Sequence, residues 1–251
     1  MTETSGKRTR TVTEESEYSP PTELHGHHRD VTGGALRAGV FGAMDGLVSN
    51  FALLAGIVGS GASSRSVVIT GLAGLAAGAC SMAAGEYTSV ASQEELTQAE
   101  INVERRELAR NPAGEERELA LLYQGRGLAP GLASEVAREL SRDPEVAWRV
   151  HVREELGVDP DDLPSPRVAA LSSFGAFSLG ALIPVLPFLL GMSSFLVVLL
   201  VSGIGLFVTG AAVAKLTSRP WWYGGIRQFV LGALAAAVTF GIGSLVGTAL
   251  G

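Results

Sequence analysis

Two residues with the chemistry of metal ligands lie inside long apolar runs. Asp45 sits in FGAMDGLVSN (41–50) and Met82 in GACSMAAGE (78–86). An ionisable group in a membrane-spanning segment is costly and usually faces a cavity or a pathway. Glu86 follows Met82 at i+4, so the two share a helix face. Carboxylate oxygen suits divalent Mn and Fe, and thioether sulfur adds a preference for softer transition metals over Mg or Ca. A second set of acids lies in EINVERRELARNPAGEERE (100–118). Glu100, Glu104 and Glu107 fall at i, i+4 and i+7 on one helical face. Asn111-Pro-Ala-Gly114 breaks that helix, and Glu115 and Glu118 then repeat the i, i+3 spacing. Two such ExxE pairs can gather four carboxylates, which repel unless a cation neutralises them. Further on, His151 and Glu155 share a face at i, i+4, a spacing able to bind one metal.

Each residue also has a plainer role. Met82 can simply pack. Asp45, flanked by Gly42 and Gly46, can cap a broken helix, and Glu86 can be solvated near the interface. The glutamates are interleaved with Arg105, Arg106, Arg110 and Arg117, as on a solvated helix laced with ion pairs. His25, His27 and His28 can hold metal loosely or belong to a disordered tail.

The elements that must position these residues are read from the apolar runs. The chain is 47% hydrophobic and only 18% charged, which is apolar for a soluble protein. Five runs, at 38–59, 67–91, 168–190, 194–215 and 228–250, are each near the ~20 residues that a bilayer core requires. Pro184 and Pro187 interrupt the third, which membrane helices tolerate. The expected organisation is a disordered cytoplasmic tail (1–30), transmembrane helices 1 and 2 (31–92), a cytoplasmic helical metal-binding domain (93–165) and transmembrane helices 3 to 5 (166–251). The fold class is therefore an all-α integral membrane protein with five transmembrane helices and a cytoplasmic insert between the second and third. The tail lacks the apolar core of a cleavable signal peptide.

Basic residues orient the spans. With the N-terminus inside, every Lys and Arg except Arg65 falls on the cytoplasmic side, including Arg37, Lys215, Arg219 and Arg227. The positive-inside rule thus puts the N-terminus in the cytoplasm and the C-terminus outside. Trp221, Trp222 and Tyr223 read as an interfacial aromatic anchor. Asp45 then lies about seven residues, and Met82 about nine, from the cytoplasmic ends of neighbouring antiparallel spans, which is a similar depth at about 1.5 Å per residue. Gly71, Gly74, Gly78 and Gly85 lie on roughly one side of span two, and Gly74 and Gly78 form a GxxxG element. It serves either packing within the chain or a dimer interface. A single cysteine, Cys80, excludes an intramolecular disulfide, and it is read as a small packing residue. Di-iron carboxylate oxidases use ExxH pairs; the insert has none, so no enzymatic activity is expected. No prosthetic group and no nucleic-acid partner are expected either.

LRAGVFGAMDGLVS, GACSMAAGEYTSVASQEE, the two ExxE pairs and the five spans together resemble the vacuolar iron transporter family over residues 28–251. The resemblance implies a homodimer in a lipid membrane that moves ferrous iron, and often manganese or other divalent metals such as cobalt and zinc, out of the cytosol in exchange for protons. It implies a path along the dimer interface and a membrane metal site of Asp45 and Met82, with Glu86 matching the acid of the family's MAxGE motif. It implies cytoplasmic metal binding by Glu104, Glu107, Glu115, Glu118 and Glu155. The family has methionine about where His151 stands, and usually asparagine at Met44. His151 is then a harder ligand, while Met44 and Glu100 are accessory positions. A non-transporting metal sensor or partner-recruiting protein is the alternative. Seventeen of the 19 basic residues are Arg, a bias that points to a GC-rich bacterial genome and so to a plasma membrane.

Overall fold

The computed structural model describes residues 34–192 and 194–250. The expected tail and His25, His27 and His28 lie outside the described residues. Among the described residues eight α-helices follow in order: α1 (Gly34–Gly59), α2 (Ser64–Arg110), α3 (Pro112–Gly125), α4 (Pro130–Leu140), α5 (Pro144–His151), α6 (Pro166–Leu189), α7 (Phe195–Leu216) and α8 (Trp221–Leu250). A π-helical turn, Val152–Leu156, continues α5. No strand occurs among the described residues. Five of these helices, α1, α2, α6, α7 and α8, are long and apolar enough to cross a membrane. The protein is an all-α integral membrane protein.

Local sequence explains the short helices. Pro112, Pro130, Pro144 and Pro166 each open a helix, where the missing N–H costs nothing and the fixed φ is already helical. Asn111 ends α2 and caps α3, its Oδ1 accepting from the Gly114 N–H at 3.1 Å. Asp143 caps α5, accepting from the Glu145 N–H at 2.9 Å. Gly157 stops the π turn at φ 68°, a left-handed conformation that glycine adopts without strain.

Two element boundaries differ from expectation. The helix that carries the second apolar run does not stop with it at 91, because α2 continues unbroken for 47 residues to Arg110. Its C-terminal part is polar but rich in Glu, Ala, Arg and Leu, all good helix formers. The last helix starts at Trp221 rather than 228, so the half-exposed aromatic triplet forms its first turn.

α1 is the central element. Leu47, Phe51, Leu54 and Ala55 join Val67 of α2, Val185 and Phe188 of α6, Val198 and Leu206 of α7 and Ala236 of α8 in one buried cluster. Glycines bring α1 and α6 into backbone contact: a Cβ on Gly46 would strike the Phe177 carbonyl, and one on Gly180 the Ala43 carbonyl. Gly71, Gly74 and Gly78 of α2 also meet this chain's own residues, Val185, Leu53 and Phe177. Packing within the chain therefore accounts for the GxxxG element, while Gly85 faces open space. Cys80, expected to pack, is exposed. Outward faces carry large apolar side chains such as Leu179, Ile204, Leu234 and Leu245, as a helix bundle in lipid requires.

Candidate metal centres

Asp45 of α1 and Met82 of α2 line one cavity of about 360 Å³, together with Ser49, Asn50, Gly74 and Phe177. The depth match expected from spacing is thus realised as a shared cavity. Glycine makes the room, since a Cβ at Gly78 would enter the Phe177 ring. Met82 is half-buried and packs on the small cluster of Ala79, Phe177 and Ala181, so its packing role and its place on the cavity coexist. Ser49 donates its hydroxyl to the main-chain oxygen of Asp45, and the same hydroxyl lies within hydrogen-bonding reach of the Asp45 carboxylate.

Other expected members fall elsewhere. Glu86 lies a turn from Met82 and outside the residues lining this cavity. Its Oε2 is 3.5 Å from Nη2 of the exposed Arg37, a long contact of the kind that contributes little at a surface. Met44 faces a different cavity, of about 510 Å³, beside Val40, Ala43, Thr209 and Val213. It adds no thioether to the Asp45 group. A larger cavity of about 840 Å³, between α1, α7 and α8, is lined by apolar groups such as Phe51, Phe195, Leu206 and Phe240.

The second centre joins four elements. Glu104 of α2, Glu115 of α3, His151 of α5 and Glu155 of the π turn each offer one ligand atom, all within 4.8 Å of one another. His151 is fully buried. Its Nδ1 lies 2.9 Å from Glu155 Oε1, 3.1 Å from Glu104 Oε1 and 4.0 Å from Glu115 Oε2. Nδ1 carries at most one hydrogen, and its hydrogen bond is to Glu155. The buried Glu104 Oε1 is left without a hydrogen bond, and so is His151 Nε2. Three carboxylates and an imidazole form a donor set suited to Fe, Mn or Zn. Of the two ExxE pairs, only the first glutamate of each enters the group. Glu107, Glu118 and Glu100 are exposed, and Glu107 and Glu118 act on Glu115 as like charges at a distance.

Protonation of this cluster reflects its surplus of negative charge. Burial pushes the Glu115 carboxyl up from its usual range, and the Glu104 and Glu118 charges push the same way. Burial also raises Glu155, against the hydrogen bond from His151. Burial lowers His151, but the Glu104 and Glu155 carboxylates beside its Nδ1 outweigh that and leave it raised. All three hold protons more readily than in water, and a bound cation would reverse each shift.

Two features of these sites carry no signal in residue spacing. One is Asn50, a polar residue in an apolar run five positions after Asp45. The other is the π turn, a local widening that recurs at functional sites and that places Glu155 beside His151.

The fold is that of a five-span membrane protein, with a carboxylate–thioether cavity within the spans and, on the connecting helices, a carboxylate–imidazole cluster that could hold a metal ion. The chain belongs to the VIT family, whose family model matches residues 36–244. It is 41% identical over 218 residues to a vacuolar iron transporter of Acanthamoeba castellanii, covering 85% of this chain and 79% of that protein. It is 31% identical to vacuolar iron transporter 1 of Arabidopsis thaliana, over 88% of this chain and 90% of that protein. It is 33% identical to vacuolar iron transporter homolog 1 of Oryza sativa subsp. japonica, over 84% of this chain and 74% of that protein.

Proposed function

We propose that this protein exports Fe²⁺, and Mn²⁺ as a second cargo, from the cytoplasm by exchange for protons. The observation that carries this reading is the shared cavity of Asp45 and Met82 inside the spans. A purely structural carboxylate would be better placed outside the bilayer, because an acid at the centre of a span costs about 2.5–3.5 kcal/mol on insertion scales. The named relatives and the family membership support the choice of iron.

In this mechanism the helices between α2 and α6 face the cytoplasm, and Glu104, Glu115, His151 and Glu155 collect metal there. Glu86 lies on the approach. The metal passes to Asp45 and Met82, and protonation of Asp45 or Glu86 from the far side weakens the ligands and releases it, since a carboxylate coordinates well only when ionised. The working unit is a homodimer. Phe41, Asp45, Ser49 and Ser81 are exposed on the α1–α2 face of the single chain. Lipid is a poor cover for a carboxylate and two hydroxyls, whereas a second copy would close the cavity into a path. The Arg-rich composition favours a bacterial plasma membrane, with the N-terminus inside and the C-terminus outside.

The test is pH-gradient-driven Fe²⁺ uptake into proteoliposomes by wild type, Asp45→Ala and Met82→Ala. Uptake by the wild type and its loss in both variants is expected. Near-normal uptake in both variants contradicts the site, and metal binding with no flux in the wild type contradicts transport.

A further inference from the structure

We propose that Asn50 supplies a further oxygen to the cation held in the Asp45–Met82 cavity, either directly or through a water bound to the ion. The proposal rests on the transport reading above and adds a specificity-determining residue to it. Asn50 is 2% exposed. Its Nδ2 donates to the Gly71 carbonyl of α2 at 3.2 Å and to the Ala181 carbonyl of α6 at 2.6 Å. Only the nitrogen end of an amide can donate to carbonyls, so these two bonds fix the side chain's orientation. Its Oδ1 is buried and has no hydrogen-bond partner.

That oxygen is turned toward the cavity. A Cβ on Gly74 would lie 3.0 Å from Oδ1, and Gly74 and Asn50 both line the cavity with Asp45 and Met82. With no side chain at residue 74, only the movable end of Leu53 occupies the space beside the amide oxygen. Ser49, also on the cavity, already spends its hydroxyl on Asp45. A buried polar atom left unpaired is unfavourable unless something occupies the space before it. A divalent cation or its hydration water would satisfy it. A neutral, hard oxygen beside a thioether favours Fe²⁺ and Mn²⁺ over softer ions, yet holds the cation weakly enough to let it move on.

Two variants of the full-length protein test this. Asn50→Leu removes both the oxygen and the Nδ2 bonds. Gly74→Ala keeps Asn50 and its bonds but puts a methyl group in front of Oδ1, where the flexible end of Leu53 can yield. Two readouts apply: the ratio of Mn²⁺ to Zn²⁺ uptake in proteoliposomes, and Mn²⁺ binding in micelles by electron paramagnetic resonance, counting the binding lost in Asp45→Ala. Both variants should lower the uptake ratio and weaken Asp45-dependent Mn²⁺ binding, each by about tenfold. The proposal is overturned if Asn50→Leu depresses both metals alike and Gly74→Ala changes neither, for then Asn50 is only a pin between helices. If Asn50→Leu fails to fold, Gly74→Ala decides alone. Absence of flux in the wild type removes the transport reading, and Mn²⁺ binding then decides for Asn50: unchanged binding in Gly74→Ala overturns the proposal.

Discussion

Glu104→Gln separates metal binding from structure at the connecting-helix cluster. The substitution keeps the shape of a nearly buried side chain and removes one of three carboxylate charges among the four ligand groups converging within 4.8 Å. Glu104 Oε1 is 3.1 Å from His151 Nδ1 but carries no hydrogen bond, so the metal-free protein loses little. Relief of repulsion with Glu115 and Glu155 should offset part of the weaker attraction to His151, and unfolding without metal should shift by less than about 1 kcal/mol, the central size of single-residue effects. Metal binding should respond differently. Losing one anionic ligand of four is expected to weaken Mn²⁺ binding about 30-fold, within the 10–100-fold range seen even for outer-shell changes at metal sites. With Mn²⁺ at 100 times the wild-type Kd, the stabilisation falls from about 2.7 to about 0.9 kcal/mol. Calorimetric titration and thermal unfolding of the full-length protein with and without Mn²⁺ measure both quantities. Mn²⁺ affinity within twofold of wild type, or a metal-free protein destabilised as strongly as the metal effect, would refute the reasoning.

Other expectations follow from the same geometry. His151→Ala should lower stability by roughly 2–4 kcal/mol, because it opens a cavity at a fully buried site and leaves Glu104 and Glu155 without their partner; chemical denaturation in chelator measures it. A raised His151 favours the folded state where it is protonated. That contribution is complete below the unfolded value of about 6.5 and is lost as pH rises through the higher folded value. The raised Glu115 and Glu155 act in the same sense from about pH 4.5 upward. The metal-free protein should therefore lose stability from mild acid to neutral and above, and Mn²⁺ affinity should climb over the same range as protons leave the ligands; unfolding and binding from pH 5 to 9 test both. At the α1–α6 contact, Gly46→Val should cost at least about 1–3 kcal/mol, because its side chain meets the Phe177 carbonyl, and a thermal melt would show it.

Much of the fold was legible because a lipid-facing helix must be apolar along its whole length. The runs containing Asp45 and Met82 were therefore visible, and constant helical rise let their depths be compared. The end of α2 was not legible from apolarity. Beyond residue 91 the helix leaves the apolar phase but continues on Glu, Ala and Arg, so the hydrophobic signal stops while the backbone does not. The ExxE spacing identified the right glutamates only in part. Three residues turn a helix by about 300°, so Glu104 points into the cluster while Glu107 lies about 60° away and is exposed. The i, i+4 pairing of His151 with Glu155 was readable, but the π turn that carries Glu155 was not. Asn50 could not be assigned from spacing, because its partners, Gly71 and Ala181, lie on two other helices and the second is 131 residues away. Met44, one residue from Asp45, illustrates the converse: a neighbour in sequence faces another cavity.

The most direct measurement records Fe²⁺ entry and internal pH together in proteoliposomes of wild type and Asp45→Asn. The account predicts Fe²⁺ uptake by the wild type driven by a proton gradient, with protons moving in the opposite direction. It predicts that both fluxes vanish in Asp45→Asn while Mn²⁺ binding at the Glu104–His151 cluster persists. Fe²⁺ flux that is indifferent to the proton gradient, or unchanged in Asp45→Asn, would contradict it.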